Sequence, residues 1–153
     1  MRRIRSRDTK PELLVRRILR AAGIGYRLGG GGLPGRPDLV MKGRKVAVFV
    51  HGCFWHGHNC ARGSRKPKAN ADYWVAKIGR NIARDARVCD ALRADGWRVV
   101  PVWECDLRRP AFAQSLVEAV RDQAATSTSA SASLSTCCNA PRSAGGVSGL
   151  DTK

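Results

Sequence analysis

The sequence predicts an α/β fold, a mixed β-sheet flanked by helices. Two observations carry that expectation. Amphipathic segments of helical period open, divide and close the first 122 residues, and short runs rich in Val, Phe and Trp lie between them. The resulting order of helix, strands, helix, strand, helix is that of an α/β sandwich. At 153 residues the chain is long enough to bury one core without disulfide staples.

Each element has local signals. A basic arm, residues 1–8, precedes a helix announced by a capping box of Thr9 and Glu12, with Pro11 in its first turn and Gly23 past its end. Leu14, Ile18, Ala21 and Ala22 are its expected buried side. Tyr26–Leu28 is a short extended segment, and Gly29–Gly32 reads as a flexible loop. Leu39–Met41 is a strand, followed by a turn at Lys42–Arg44. Lys45–Val50 is a nearly continuous apolar run, the mark of a strand buried on both faces. A long helix is expected from Asn70 to about Asp95, ended by Gly96, with Val75, Ile78, Ile82, Cys89 and Leu92 as its apolar stripe. Lys77, Arg80, Arg84 and Arg87 form a separate basic stripe suited to a DNA backbone. Trp97–Trp103 is a third long strand, with both tryptophans expected in the core, and 111–122 a final helix. From 123 to 153 the composition turns to Ser, Thr, Ala and Gly, which reads as a disordered low-complexity tail.

Lys and Arg outnumber Asp and Glu by 28 to 12, a formal charge of +16. The part after residue 110 is neutral, so the folded part carries the whole excess. Such a field gathers and steers polyanions. With no long apolar span, signal peptide or lipidation box, nucleic acid is expected over a membrane, and a cytoplasmic setting over an exported one. In that setting six cysteines point to metal rather than disulfides. Cys89 is expected in the core, and Cys137 and Cys138 as exposed thiols of the tail.

The densest chemistry lies in His51–Cys60, which holds all three histidines of the chain, two cysteines, Phe54 and Trp55. Cys53, His58 and Cys60 offer three soft ligands from one loop, and Cys105, at the end of the third long strand, is the natural fourth for a structural zinc. Unrelated small core cysteines are the plainer alternative, but a polar loop is a poor place to bury them.

A second constellation joins Asp38 to the strand that ends at His51. Many metal-dependent nucleases set a carboxylate at the start of one hairpin strand, with an acid and a lysine one residue apart on the next. Here Asp38 matches the carboxylate, Phe49 replaces the acid and His51 the lysine. Asp38 could hold Mg²⁺ with the main-chain carbonyl of Val50, since hard cations take oxygen. His51 and His56 would handle protons. A turn cap after proline is the other reading of Asp38. Glu12 likewise has two: the capping acid of its helix, or an acid orienting a metal-bound water or a histidine. Phe54, Trp55 and Trp74 suit wedges entering between base steps, or packing beneath the loop.

The segments Asp8–Leu13, Leu33–Leu39, Phe49–Cys60 and Gly96–Cys105 closely resemble the very short patch repair (Vsr) endonucleases, in unbroken order over roughly residues 2–110. The resemblance implies a restriction-endonuclease-like fold with one structural zinc. It also implies a Mg²⁺-dependent nick 5′ of the thymine in a T:G mismatch left by deamination of 5-methylcytosine in double-stranded DNA. By position Asp38 becomes the catalytic metal ligand, His51 and His56 the catalytic histidines, and Glu12 a support of the hydrated metal. Cys53, His58, Cys60 and Cys105 become the zinc ligands, and Phe54, Trp55 and Trp74 the intercalating aromatics. Family members usually carry a longer N-terminal arm that closes over DNA, a part that falls here to Arg2, Arg3 and Arg5. A functional link to a cytosine-5 methyltransferase and to mismatch-repair proteins is expected, with a monomer acting at the bacterial nucleoid. Two other readings compete: a non-cutting zinc-stabilised DNA-binding module, and a nuclease of this fold with another DNA target.

Overall fold

A computed structural model describes residues 8–65 and 69–122, so Arg2, Arg3 and Arg5 of the arm and the tail from 123 lie outside the described residues. Three helices, α1 (Lys10–Ala21), α2 (Ala71–Ala94) and α3 (Phe112–Arg121), accompany four strands. These are β1 (Arg27–Leu28), β2 (Leu39–Met41), β3 (Val46–His51) and β4 (Arg98–Trp103), which form one sheet in the order β1-β2-β3-β4. The first three are antiparallel neighbours, whereas β3 and β4 run parallel. A parallel pair needs a crossover, and α2 lies within the connection that supplies it. The mixed sheet flanked by helices is the architecture expected from the sequence. Among the described residues no helix is long and apolar enough to cross a membrane.

Alternation along β3 sorts the layers. Val46 and Val48 join Val15 and Leu19 of α1 and Phe112, Leu116 and Val120 of α3 in the larger core. Ala47 and Phe49 face the other way and pack with Leu92 of α2, beside Val88, Trp97 and Val99. His51 follows Phe49 by two residues, so it emerges on the α2 side of the sheet.

The Thr9 cap forms as expected, with Glu12 N–H donating to the Thr9 hydroxyl at 3.5 Å, while the Glu12 carboxylate reaches past the cap to Asp8. The Thr9 hydroxyl donates to Glu12 Oε1 at 2.9 Å, and Glu12 Oε2 accepts the Asp8 N–H at 3.0 Å. The buried side of α1 differs from the expectation: Glu12, Val15 and Leu19 are buried, while Leu14 and Ala21 are exposed. Stripes at 12-15-19 and 14-18-21 share one helical period, so spacing alone does not choose between adjacent faces. Val75 also leaves its predicted stripe and is 59% exposed. The C-terminal half of α2 packs on the sheet, but its first turns lie over the loop after β3. There Ile78 and Ile82 crowd Gly57, whose missing Cβ would stand 2.8 Å from Ile82 Cδ1.

Gly29–Gly32 is a tight turn rather than an open loop, with all four residues at positive φ, and Leu33 N–H donates to Gly30 O at 2.8 Å. Gly30 is buried, and a Cβ on it would lie 2.9 Å from Arg36 Cα. This contact holds the segment leading to Asp38 against the turn.

Candidate metal cluster and active-site cleft

The loop after β3 is wound by its own backbone. His58 N–H donates to Cys53 O at 3.0 Å, Cys60 N–H to His58 O at 2.9 Å and Ser64 N–H to Cys60 O at 2.9 Å. The winding turns Cys53, His58 and Cys60 toward Cys105, just past β4, and the four ligand atoms lie within 4.8 Å of one another. His58 Nδ1 is 3.4 Å from Cys105 Sγ. Gly63 permits the turn, because a Cβ there would come within 2.0 Å of His58 O. No disulfide joins Cys53, Cys60, Cys89 or Cys105.

Electrostatics in this cluster is divided. Burial pushes the Cys105 thiol up to about 12, helped by its hydrogen bond and charge interaction with Cys53, and burial likewise raises Cys53. Burial also acts to raise Cys60, but hydrogen bonds from His58 and from the Gly63 and Arg62 backbone outweigh it and bring that thiol down to about 6. Three thiols so close cannot all ionise without a compensating positive charge. The cluster could hold a metal ion.

On the other side of Trp103 lies the cleft. Trp103 is buried, stacked on His58 with ring centroids 4.2 Å apart and tilted against His51 at 5.1 Å. The two tryptophans therefore part: Trp97, just before β4, packs with the smaller core, whereas Trp103 is the wall between two sites. A cavity of about 190 Å³ is bordered by Asp38, Phe49, His51, His56, Asp85 and Cys89, among others. Asp38 and His51 thus meet in one cleft, as their strand positions predict. Val50 N–H donates to Asp38 Oδ2 at 2.7 Å. Burial raises the Asp38 carboxyl, the Val50 hydrogen bond opposes this, and the Glu12 carboxylate raises it again. Glu12 and Asp38 border a second, more polar cavity, with Asp8, Arg16 and Arg36. Glu12 is accordingly both a capping residue and a neighbour of Asp38.

His56 packs on His51 with centroids 4.3 Å apart, and its Nδ1 is hydrogen-bonded to Asp85 Oδ2. Burial and then the His56 charge push the His51 imidazole down to about 4. Burial acts to raise Asp85, but its hydrogen bond and charge interaction with His56 hold it low. His51, His56 and Asp85 make a second group that could hold a metal ion. The sequence reading missed Asp85. It sits on α2 between Arg84 and Arg87 of the basic stripe, and an acid at helical spacing within basic residues reads as a surface ion pair.

Phe54, Trp55 and Trp74 come together as the sequence reading groups them. Trp55 and Trp74 centroids are 5.6 Å apart, Phe54 lies 5.2 Å from Trp55, and Trp55 is 37% exposed. Tyr73 joins this group, and the Lys77 ammonium lies 5.2 to 5.7 Å from the rings of Trp74, Trp55 and Tyr73. Arg80 is exposed, while Arg84 pairs with Asp85 at 3.2 Å.

Comparison with known proteins places the chain in a family. Residues 1–62 match the family model described as DNA mismatch endonuclease Vsr. A type II nicking enzyme of Xanthomonas oryzae pv. oryzae is 50% identical over 107 residues, which cover 70% of this chain and 78% of that protein. The DNA mismatch endonuclease Vsr of Escherichia coli K12 is 43% identical over 108 residues, covering 71% of this chain and 69% of that enzyme. The chain belongs to the Vsr family. A second type II nicking enzyme, from Neisseria meningitidis, is 41% identical over 126 residues, 80% of this chain and 89% of its own length. Membership makes the chain a DNA endonuclease, a hydrolase of the strand-nicking kind.

Proposed function

We propose that this Vsr-family chain cuts one strand of duplex DNA 5′ of the thymine in a T:G mismatch produced by deamination of 5-methylcytosine, acting as a monomer on a restriction-endonuclease-like core. The observation that carries the reading is the position of Asp38, at the meeting of two cavities, with His51 and His56 on one side and Glu12 on the other. The cysteine cluster fits zinc. Tetrahedral bonds of about 2.3 Å to sulfur and about 2.0 Å to nitrogen set donors about 3.5–3.8 Å apart, close to the separation between Cys105 and His58. Zinc there ties the loop to the end of β4 and supplies the charge that three crowded thiols lack.

Asp38 fits Mg²⁺. It is a hard oxygen donor whose ionised form is disfavoured by burial and by the nearby Glu12, so a cation there would offset that cost. Asp38 and the Val50 carbonyl would hold the ion, with Glu12 supporting its waters. A Mg²⁺ held there would supply activation of water and charge neutralisation at the phosphate. The remaining work belongs to side chains. Asp85 fixes the His56 ring through Nδ1, which leaves Nε2 to exchange a proton. His51 is kept neutral by its burial and can accept one.

Phe54, Trp55 and Trp74 form one aromatic edge beside the cleft, suited to entering between base steps. Unstacking costs about a few kcal/mol per step, less at a mispair, so a wedge favours mismatched DNA. Trp55→Ala is expected to lose most of the discrimination between mismatched and paired duplex; equal discrimination in the variant would return Trp55 to a packing role. Lys77, Arg80 and Arg84, with Arg2, Arg3 and Arg5 of the arm, are assigned to the DNA backbone. The mismatch itself links the enzyme to a cytosine-5 methyltransferase and to mismatch-repair proteins.

The test is a nicking assay with Mg²⁺ on a labelled duplex carrying one T:G pair, beside the same duplex with T:A. A single cut next to the mismatched thymine, absent from the control, is the expected result. Equal cutting of both duplexes would refute the mismatch, and salt-sensitive binding without any cut would refute the nuclease.

A further inference from the structure

Three arginines border the two cavities that meet at Asp38, and two of them are engaged. Arg16 pairs with Asp8 at 2.6 Å and with Glu12 at 3.2 Å. Arg84 pairs with Asp85 at 3.2 Å. Of the three, only Arg36 borders both cavities; it is exposed, and among the described residues its side chain makes no ion pair or hydrogen bond.

The backbone beneath Arg36 is held in an uncommon conformation. Its φ is +51°, a left-handed value unusual for a residue with a Cβ, and it precedes Pro37, which disfavours anything but extended backbone before it. Neighbours on every side fix it there. Gly30 abuts the Arg36 Cα, as described above. Gly35, at φ +72°, packs so tightly on α2 that a Cβ would lie 2.3 Å from Val88 Cγ1. Pro37 is fully buried. Glycine would take this φ at little cost, yet the position carries a long cation two residues from the metal-binding candidate. Strain of this kind persists where the surroundings over-determine it, as they do at sites that must be rigid.

We propose that Arg36 grips the scissile phosphate and stabilises the charge that builds on its non-bridging oxygens as the strand is cut. The guanidinium is planar, permanently charged and able to give two parallel hydrogen bonds to phosphate oxygens. Anchored by a rigid turn, it needs no reorganisation when the phosphate gains charge, the condition under which such donors act most strongly. Arg16 and Arg84 cannot replace it without abandoning the carboxylates they pair with. Arg36 is therefore a catalytic residue in addition to Asp38, His51 and His56, and this assignment rests on the reading of Asp38 as the site of cutting.

The experiment measures single-turnover nicking of the T:G duplex at saturating full-length protein for Arg36→Gln, Arg36→Gly and Asp38→Asn, with Tm and duplex Kd for each. Both Arg36 variants are expected to nick about 10²-fold more slowly. Their Kd should rise less than about tenfold, as for the loss of one phosphate contact among many. Glycine relieves the left-handed backbone, so Arg36→Gly should keep its Tm at or above the wild-type value while losing activity. A purely structural role predicts the reverse, a changed Tm with the rate preserved. Nicking by Arg36→Gly within threefold of wild type, or a loss matched by a fall in Tm, overturns the proposal. Asp38→Asn separates the two layers: if it is inactive while Arg36→Gly cuts, only the role of Arg36 falls; if Asp38→Asn itself cuts normally, the reading of Asp38 falls.

Discussion

One loop feeds two sites of opposite character, and the buried indole of Trp103 stands between them. On one side Cys53, His58, Cys60 and Cys105 gather soft donors into a small cluster. On the other, Asp38, His51, His56 and Asp85 border an open cavity. The chain enters both by alternation: His51 and His56 go to the cleft, Cys53, His58 and Cys60 to the cluster. The lesson is chemical. A partly buried group of three thiols and an imidazole, two of the thiols raised chiefly by burial, suits a permanent cation and a fastening. A neutral imidazole, a fixed imidazole and a partly buried carboxylate bordering a cavity suit proton transfer and a hard, exchangeable ion.

Breaking either side should leave a distinct signature. Asp38→Ala is expected to have the largest effect on catalysis, a loss of about 10³-fold or more in nicking, since it removes several kcal/mol of cation-borne stabilisation. Metal analysis should still find the zinc in place; loss of zinc together with activity would mean that the two sites are not separable. Cys105→Ala is the reciprocal cut. Bound zinc should fall from one equivalent to none and Tm should drop with it, and a full equivalent retained would dismiss the four-ligand assignment. Asp85→Asn sharpens the cleft side. With the His56 ring less firmly held, nicking should slow by about 10²-fold while zinc content and Tm stay near wild type. An unaltered rate would reduce Asp85 to a surface partner. The smallest effect is expected at the wall itself. The Trp103 indole N–H is buried without a hydrogen-bond partner among the described residues, so Trp103→Phe sacrifices no hydrogen bond. Its cost should be about 1 kcal/mol by urea unfolding, with both sites retained. A large loss of zinc in that variant would show that the indole holds His58 in place through stacking.

Much of this was legible before folding because the signals are local. The Thr9–Glu12 cap, the apolar run of β3 and the closing Gly96 each act within a few residues, and each stands where the sequence predicts it. The gathering of Cys53, His58 and Cys60 with Cys105 was equally plain, since thiols and imidazoles packed so densely on a polar loop have few other uses. Where the reading failed, the missing information was rotational or long-range. The side of α1 that is buried depends on where α3 and the sheet lie, not on the period of the helix. Val75 repeats the pattern of its stripe but projects beyond the sheet. Asp85 is 29 residues from His56 and sits on a helix face that composition marks as basic.

The sequence by itself determined the element types, the layered α/β class, the basic character and most of the donor groups that gather in the cluster and the cleft, because propensity, capping and side-chain chemistry belong to residues and their near neighbours. Only the tertiary structure decided which helix face is buried, that Asp85 meets His56, that Trp103 separates the two clusters and that Arg36 overlooks both cavities unpaired. Those outcomes depend on the register of β2 on β3 and the docking of α2 over the loop, relations between segments distant in sequence that no local pattern records.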